Sequence, residues 1–208
     1  MPSDVALLSL HGLRLKGFAE TSDVAELFQV DPAALSATLT RQEADQLVVH
    51  RQGAPRGWRL TSAGREENER LLAEELDRAG LRPSVRTAYQ RFLPLNRWAL
   101  DLCSRWQVRD AAAGVVNDHT DPGYDRAVLA ELVSLDRDRC VVTDDLAAAL
   151  DRLAIHGPRL TSAAERVLGG EVDWFTRPVI DSYHTVWFEL HEDLLATLGL
   201  DRSAEAAG

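Results

Sequence analysis

Arg41, Arg51, Arg56, Arg59 and Arg65 fall within residues 41–65, where Glu43 and Asp45 are the only carboxylates and His50 lies among the arginines. The whole chain, in contrast, is acidic: 208 residues with a net charge of −10. Guanidinium groups present a rigid fork of donors that suits phosphate oxygens. A small basic patch on an acidic body can meet phosphate while the remaining surface suppresses non-specific adhesion. The patch surrounds the stretch VVHRQGAPRGWRL, residues 48–60, in which two strand-like runs flank Gly53, Pro55 and Gly57. Trp58 and Leu60 alternate with Arg59, as a strand with one buried face requires. The glycines allow a tight turn, and Pro55 lowers the entropy lost on fixing it.

A second group of residues invites a different chemistry. Ile180, His184, Trp187, His191, Leu194 and Leu198 follow one another at spacings of 4, 3, 4, 3 and 4, which places two histidines on the apolar stripe of one helix. Two readings stay open. In one, the histidines are core residues bonded to groups on neighbouring helices, because buried polar atoms need partners. In the other, Trp98, Trp106, Tyr183, His184, Trp187 and His191 line a pocket for a small effector. Metal binding has less support. His184 and His191 are about 10 Å apart along a helix, too far to share one ion. Asp181 and His184, at i and i+3, could share one with His119 or His156, yet the chain shows no established ligand spacing. We therefore expect no metal and no cofactor. Cys103 and Cys140 sit in apolar helical context and read as reduced core thiols. The sequence contains no nucleophile elbow and no phosphate-cradling glycine loop, so an enzyme is not expected.

The elements that must position these groups follow from periodicity and stop signals. The composition, 45% apolar, suffices for a core. No apolar run is long enough to span a membrane, and MPSDVALLSL carries no basic n-region or cleavage site, so a cytoplasmic protein is expected. A first helix is expected over residues 5–18, then a very short strand at FAET. Thr21-Ser22-Asp23 begin a second helix, and Asp31-Pro32 a third that turns Leu35, Leu39 and Leu47 inward. Thr61 or Ser62 caps a charged helix to about Asp77. RAGLRPSVR, residues 78–86, reads as a hinge between a domain at 1–80 and a second, wholly helical one at 84–202. In the latter, Pro94 should kink or divide the first helix. NDHTDPG, residues 117–123, marks a turn. Thr143-Asp144 could cap a new helix, Gly157-Pro158 should end it, and a final helix spans about 176–198.

The order helix, short strand, helix, helix, strand, strand, helix over residues 4–77 resembles the winged helix-turn-helix of bacterial transcription regulators. The residues that carry it are TSDVAELFQVDPAALSATLTRQEADQLVVHR and GWRLTSAGRE, the latter holding the wing closure arginine-leucine-threonine-x-x-glycine shared by MarR-like and PadR-like regulators. The resemblance implies a mostly α protein: an N-terminal winged helix-turn-helix with a small two-stranded wing, followed by an all-helical domain. It implies duplex DNA as partner, with the third helix in the major groove and the wing on the backbone or minor groove. The expected DNA-contacting residues are Ser36, Ala37, Thr40, Arg41, Arg51, Arg56 and Arg59. Most exposed positions of that helix are small, a departure from strong base readout. The helical domain is expected to form a homodimer, to bind a small effector, or both. The rival readings are a protein-docking adaptor and a helical-domain enzyme regulated by the winged helix.

Overall fold

In a computed structural model, which describes residues 3–110 and 112–201, polar caps start the helices of the N-terminal region. Of the expected domain limits, residues 1 and 202 lie outside the described residues. Asp4 accepts from the Ala6 amide and begins α1, Val5–Lys16. α2, Thr21–Phe28, is opened by a reciprocal pair in which Glu20 caps the Asp23 amide and Asp23 the Glu20 amide, so the cap sits just before the expected Thr-Ser-Asp. Asp31 caps α3, Pro32–Ala44, with proline at its first position, where no amide hydrogen is needed. β1, Val48–Arg51, and β2, Gly57–Leu60, pair antiparallel with Val48 opposite Leu60 and Arg51 opposite Gly57. The short strand expected at FAET is a single bridge in which the backbones of Ala19 and Trp58 exchange two hydrogen bonds. α4, Ser62–Ala79, follows directly.

The second half departs from the sequence reading in several places. The expected hinge is a tight corner. α4 ends on Gly80 at φ 66°, α5 starts at Arg82, and the Arg82 guanidinium clasps Asp77 at 2.9 Å. α5, Arg82–Gln107, passes through Pro94 without being divided. The region is not wholly helical: β3, Val108–Asp110, and β4, Val115–Val116, form a second antiparallel pair. Its β-branched valines favour strands, and Asp110 binds the amides of Ala112 and Ala113 in the turn. α6, Pro122–Ala149, is one helix through Thr143-Asp144. Thr143 is buried and turns its hydroxyl back to the Cys140 carbonyl instead of capping. After a 3-10 turn at Asp151–Ile155, Gly157-Pro158 lie in the first turn of α7, His156–Leu168, where proline is tolerated. α8 is Asp173–Thr176. α9, Tyr183–Leu198, starts later than the expected residue 176, with Ser182 as its cap.

The molecule is mostly helical, with two small antiparallel strand pairs. Leu10, Leu13, Val24, Leu35, Leu39 and Trp58 fill the core of the N-terminal elements. Phe92, Leu102, Leu132, Leu146, Leu160 and Leu194 belong to the core of the later helices. Leu7, Leu72 and Ala196 join α1, α4 and α9 between the two. Most of the apolar side chains of α9 are thus covered within the chain, and Phe188 is 49% exposed. Among the described residues no helix is long and apolar enough to cross a membrane.

One buried ionic cluster ties these parts together. The Asp193 carboxylate accepts from Arg152 Nη1 at 2.6 Å, His156 Nε2 at 2.9 Å, His11 Nε2 at 3.0 Å and Thr197 Oγ1 at 3.0 Å. Arg152 also donates through Nε to Glu75 at 2.7 Å and through Nη2 to Thr197 at 2.8 Å. The side chains of Arg152 and Asp193 are both 0% exposed. Taking such charges out of water costs several kcal/mol per ion, so they must be paired and hydrogen-bonded on every side. Burial alone would raise the Asp193 pKa. The charges of His11 and Arg152, with hydrogen bonds from both histidines, hold it well below the usual carboxylate range instead.

Asp193→Asn should therefore lower unfolding free energy at pH 7 by about 3–5 kcal/mol, the cost of stranding one partner of a buried pair. A carboxylate with a depressed folded-state pKa stabilises above its unfolded value, near 4, and loses that contribution as pH falls through the folded value. Urea titrations should accordingly show the gap between wild type and variant constant from pH 7 to about 5 and shrinking below about 4. A gap under about 1 kcal/mol at pH 7 would contradict this role.

Candidate nucleic-acid interface

The face of interest begins with how α3 is seated. Leu35, Thr38, Leu39 and Gln42 are buried, and Ser36, Ala37, Thr40 and Arg41 are exposed. Gln42 fixes the rotation of the helix about its axis: it accepts from Ser9 Oγ at 2.8 Å and donates to the Ala6 carbonyl at 2.9 Å, both on α1. The exposed four lie at i, i+1, i+4 and i+5, hence on one side of the helix. Thr40 donates its hydroxyl to the Ser36 carbonyl at 3.0 Å, which leaves its oxygen lone pairs as outward acceptors. One Arg41 nitrogen donates to Thr38 Oγ1 at 3.1 Å, while the side chain remains exposed.

The strand pair stands beside this helix. Trp58 is buried, stacks on His50 at 4.3 Å and donates its indole N–H to Thr21 at the start of α2. Arg59, its neighbour, is exposed. Residues 52–56 form the exposed connection, and Arg51 donates to the Ala54 carbonyl at 3.2 Å across it. Thr61 then closes the hairpin onto α4: its Oγ1 accepts from the Gly64 amide at 3.0 Å and reaches the Gln46 carbonyl at 2.8 Å. Gly64 sits so near β1 that a Cβ there would lie 1.9 Å from the Leu47 carbonyl oxygen. The threonine and glycine of the closure motif thus have distinct jobs, one capping and one permitting contact.

Ser36, Ala37, Thr40, Arg41, Arg51, Arg56 and Arg59 are all exposed on these adjoining elements. Among the described residues none of the four arginines has a carboxylate partner. The two nearby acids do not neutralise them: Glu43 accepts from the His50 amide, and Asp45 ends α3. Most arginines elsewhere are engaged, although Arg78, Arg86, Arg97 and Arg126 are likewise exposed without a carboxylate partner among the described residues. Arg14 bonds Glu69 and Glu192, Arg105 bonds Asp101 and Glu131, and Arg65 lies 3.7 Å from Glu192. The arrangement offers exposed cations without carboxylate partners, and exposed hydroxyls, on adjoining elements.

The six residues considered as an effector pocket do not share a cavity of this kind. Trp106, Tyr183, Trp187 and His191 are buried. Their rings pack on one another and on intervening phenylalanines: Phe92 lies 5.3 Å from both Trp187 and His191, Tyr183 is 5.8 Å from Trp187, and Trp106 is 5.1 Å from Phe175. Trp187 donates to the buried Asn96 at 3.0 Å. Trp98 bonds Glu131 at 3.2 Å. His184 alone of the six lines a cleft of about 1300 Å³ on the other side of α9. Burial lowers its pKa, so it is neutral at pH 7. Asp181, considered with it as a metal ligand, is instead held by Lys16 at 3.0 Å and Arg159 at 2.9 Å. Burial pushes the Cys103 thiol up to about 12.

Two groups escaped sequence reasoning. The Arg152–Asp193 cluster joins residues up to 182 positions apart, from His11 to Asp193. The local sequence does not single these residues out: Arg152 follows Asp151 between Leu150 and Leu153, and Asp193 closes the polar run His191-Glu192-Asp193 between Leu190 and Leu194. NDHTD is a clasp: Asn117 donates to the Trp106 carbonyl and to Asp125, and His119 bonds the same carboxylate at 3.1 Å, with φ 58°. It ties the end of α5 to the start of α6.

No protein-family model matches the chain, and neither a curated protein nor a solved structure matches it.

Gly64→Ala should force α4 away from β1 and cost about 1–3 kcal/mol or more, as overpacking against rigid backbone does. Thermal melts check this. A variant that melts with wild type would show that β1 and α4 can separate freely.

Proposed function

We propose that the chain is a DNA-binding transcription regulator whose residues 1–80 form a winged helix-turn-helix of the MarR-like or PadR-like kind. The observation that carries this reading is the set Arg41, Arg51, Arg56 and Arg59, exposed and without carboxylate partners on an otherwise acidic chain whose other arginines are largely paired. A cation kept exposed and uncommitted is available to phosphate. Counterion release on neutralising phosphates supplies the affinity. α3 presents its Ser36, Ala37, Thr40 face to a major groove: the Ser36 hydroxyl meets base edges or phosphates, the Thr40 oxygen accepts from base-edge amino groups, and the Ala37 methyl packs on a thymine methyl. The β1–β2 hairpin lies along the backbone or enters a minor groove, with Arg56 at its tip. Small side chains on α3 favour modest base discrimination, with much of the affinity coming from the backbone.

Arg56→Ala should weaken binding to all duplexes nearly equally and reduce the slope of log affinity against log salt by about one. Fluorescence anisotropy with random duplex across a salt series measures both. An unchanged slope and affinity would remove Arg56 from the interface. Ser36→Ala with Thr40→Ala should change the sites selected from a random pool more than overall affinity. Selection of the same sites by this double variant and by wild type would show that α3 reads no bases there.

A further inference from the structure

We propose that the cleft between α1–α2 and α7–α9 binds a lipophilic organic cation. The cleft measures about 1300 Å³, room enough for a drug-sized molecule. Phe18 and Phe28 stand on one wall, and Ile155, Ile180 and Phe188 on the other. Phe188 is 49% exposed, and Val179 at the rim is 95% exposed. Large apolar side chains left open in a concave site mark a place where something apolar is taken up.

Charge decides which apolar molecule. Five carboxylates line the cleft, Asp23, Glu26, Asp151, Asp181 and Glu189, against two cations, Lys16 and Arg159. Both cations are already committed to the same pair of acids. Lys16 Nζ lies 3.0 Å from Asp181 and 2.9 Å from Glu189, and Arg159 lies 2.9 Å from Asp181 and 2.6 Å from Glu189. His184 adds no positive charge at neutral pH. The excess is therefore negative, with Glu26 exposed on the α2 wall. An organic anion of the same shape would meet a net negative lining with Glu26 at its surface. A cation gains the field of that lining and the negative faces of the phenylalanine rings. The site is independent of the arginine face and stands whether or not that face meets DNA.

Calorimetric titration of the full chain with tetraphenylphosphonium and with its near-isosteric anion, tetraphenylborate, tests the proposal. The cation should bind saturably at one site, and the anion at least tenfold more weakly. Phe188→Ala and Glu26→Gln, both at exposed positions, should each weaken the cation several-fold, whereas Glu66→Gln, outside the cleft, should leave it unchanged. Binding of the anion as tight as that of the cation would overturn the assignment. So would absence of saturable cation binding, or equal cation affinity in wild type and both cleft variants.

Discussion

The Arg152–Asp193 pair is the constraint on which the arrangement of the molecule depends. Two ions with no solvent exposure survive only because His11 on α1, Glu75 on α4, His156 on α7 and Thr197 on α9 meet their remaining hydrogen-bonding positions. Such a cluster tolerates little displacement, since each partner withdrawn leaves a charge uncompensated in a low-dielectric interior. α1 and α4 frame the N-terminal elements, and α7 and α9 belong to the later helices. Their relative placement is thus set by directional bonds as well as by the apolar contact of Leu7, Leu72 and Ala196.

The same helix accounts for how charge is divided over the surface. Beside Asp193, the acids Glu189 and Glu192 of α9 take up Lys16, Arg159, Arg14 and, at longer range, Arg65. Arg14 and Lys16 of α1, and Arg65 of α4 at 3.7 Å, are drawn towards this acidic edge. The cations of α3 and the β1–β2 hairpin have no carboxylate partner among the described residues. The basic patch visible in the sequence therefore becomes smaller and sharper in the structure: Arg65 turns to the body, and Arg41, Arg51, Arg56 and Arg59 remain.

Local chemistry made the N-terminal elements legible in the sequence. Asp31-Pro32, Thr61 with Gly64, and the alternation around Arg59 each act within a few residues, and the exposure of the seven residues chosen there follows from the same periodicity. Punctuation was less reliable in the later helices. Pro94 did not divide α5, because a packed helix can absorb one missing hydrogen bond. Gly157-Pro158 opened α7 instead of closing a helix, and Thr143-Asp144 lay mid-helix with the threonine back-bonded. The aromatic residues of the imagined pocket could not be told from core by spacing alone, since both uses put rings on a buried stripe. The Asp193 cluster and the cleft were invisible because they assemble from residues far apart in the chain, which only the tertiary packing brings together.

The central claim is that duplex DNA meets α3 and the β1–β2 hairpin and no other face. Amide chemical-shift mapping of the isotope-labelled full chain, titrated with a random-sequence duplex at low salt, tests it most directly. The account predicts shifts concentrated in residues 33–41 and 50–59 that reverse as salt is raised. Shifts centred on α5 or α6, or none at duplex concentrations where non-specific binders saturate, would contradict it.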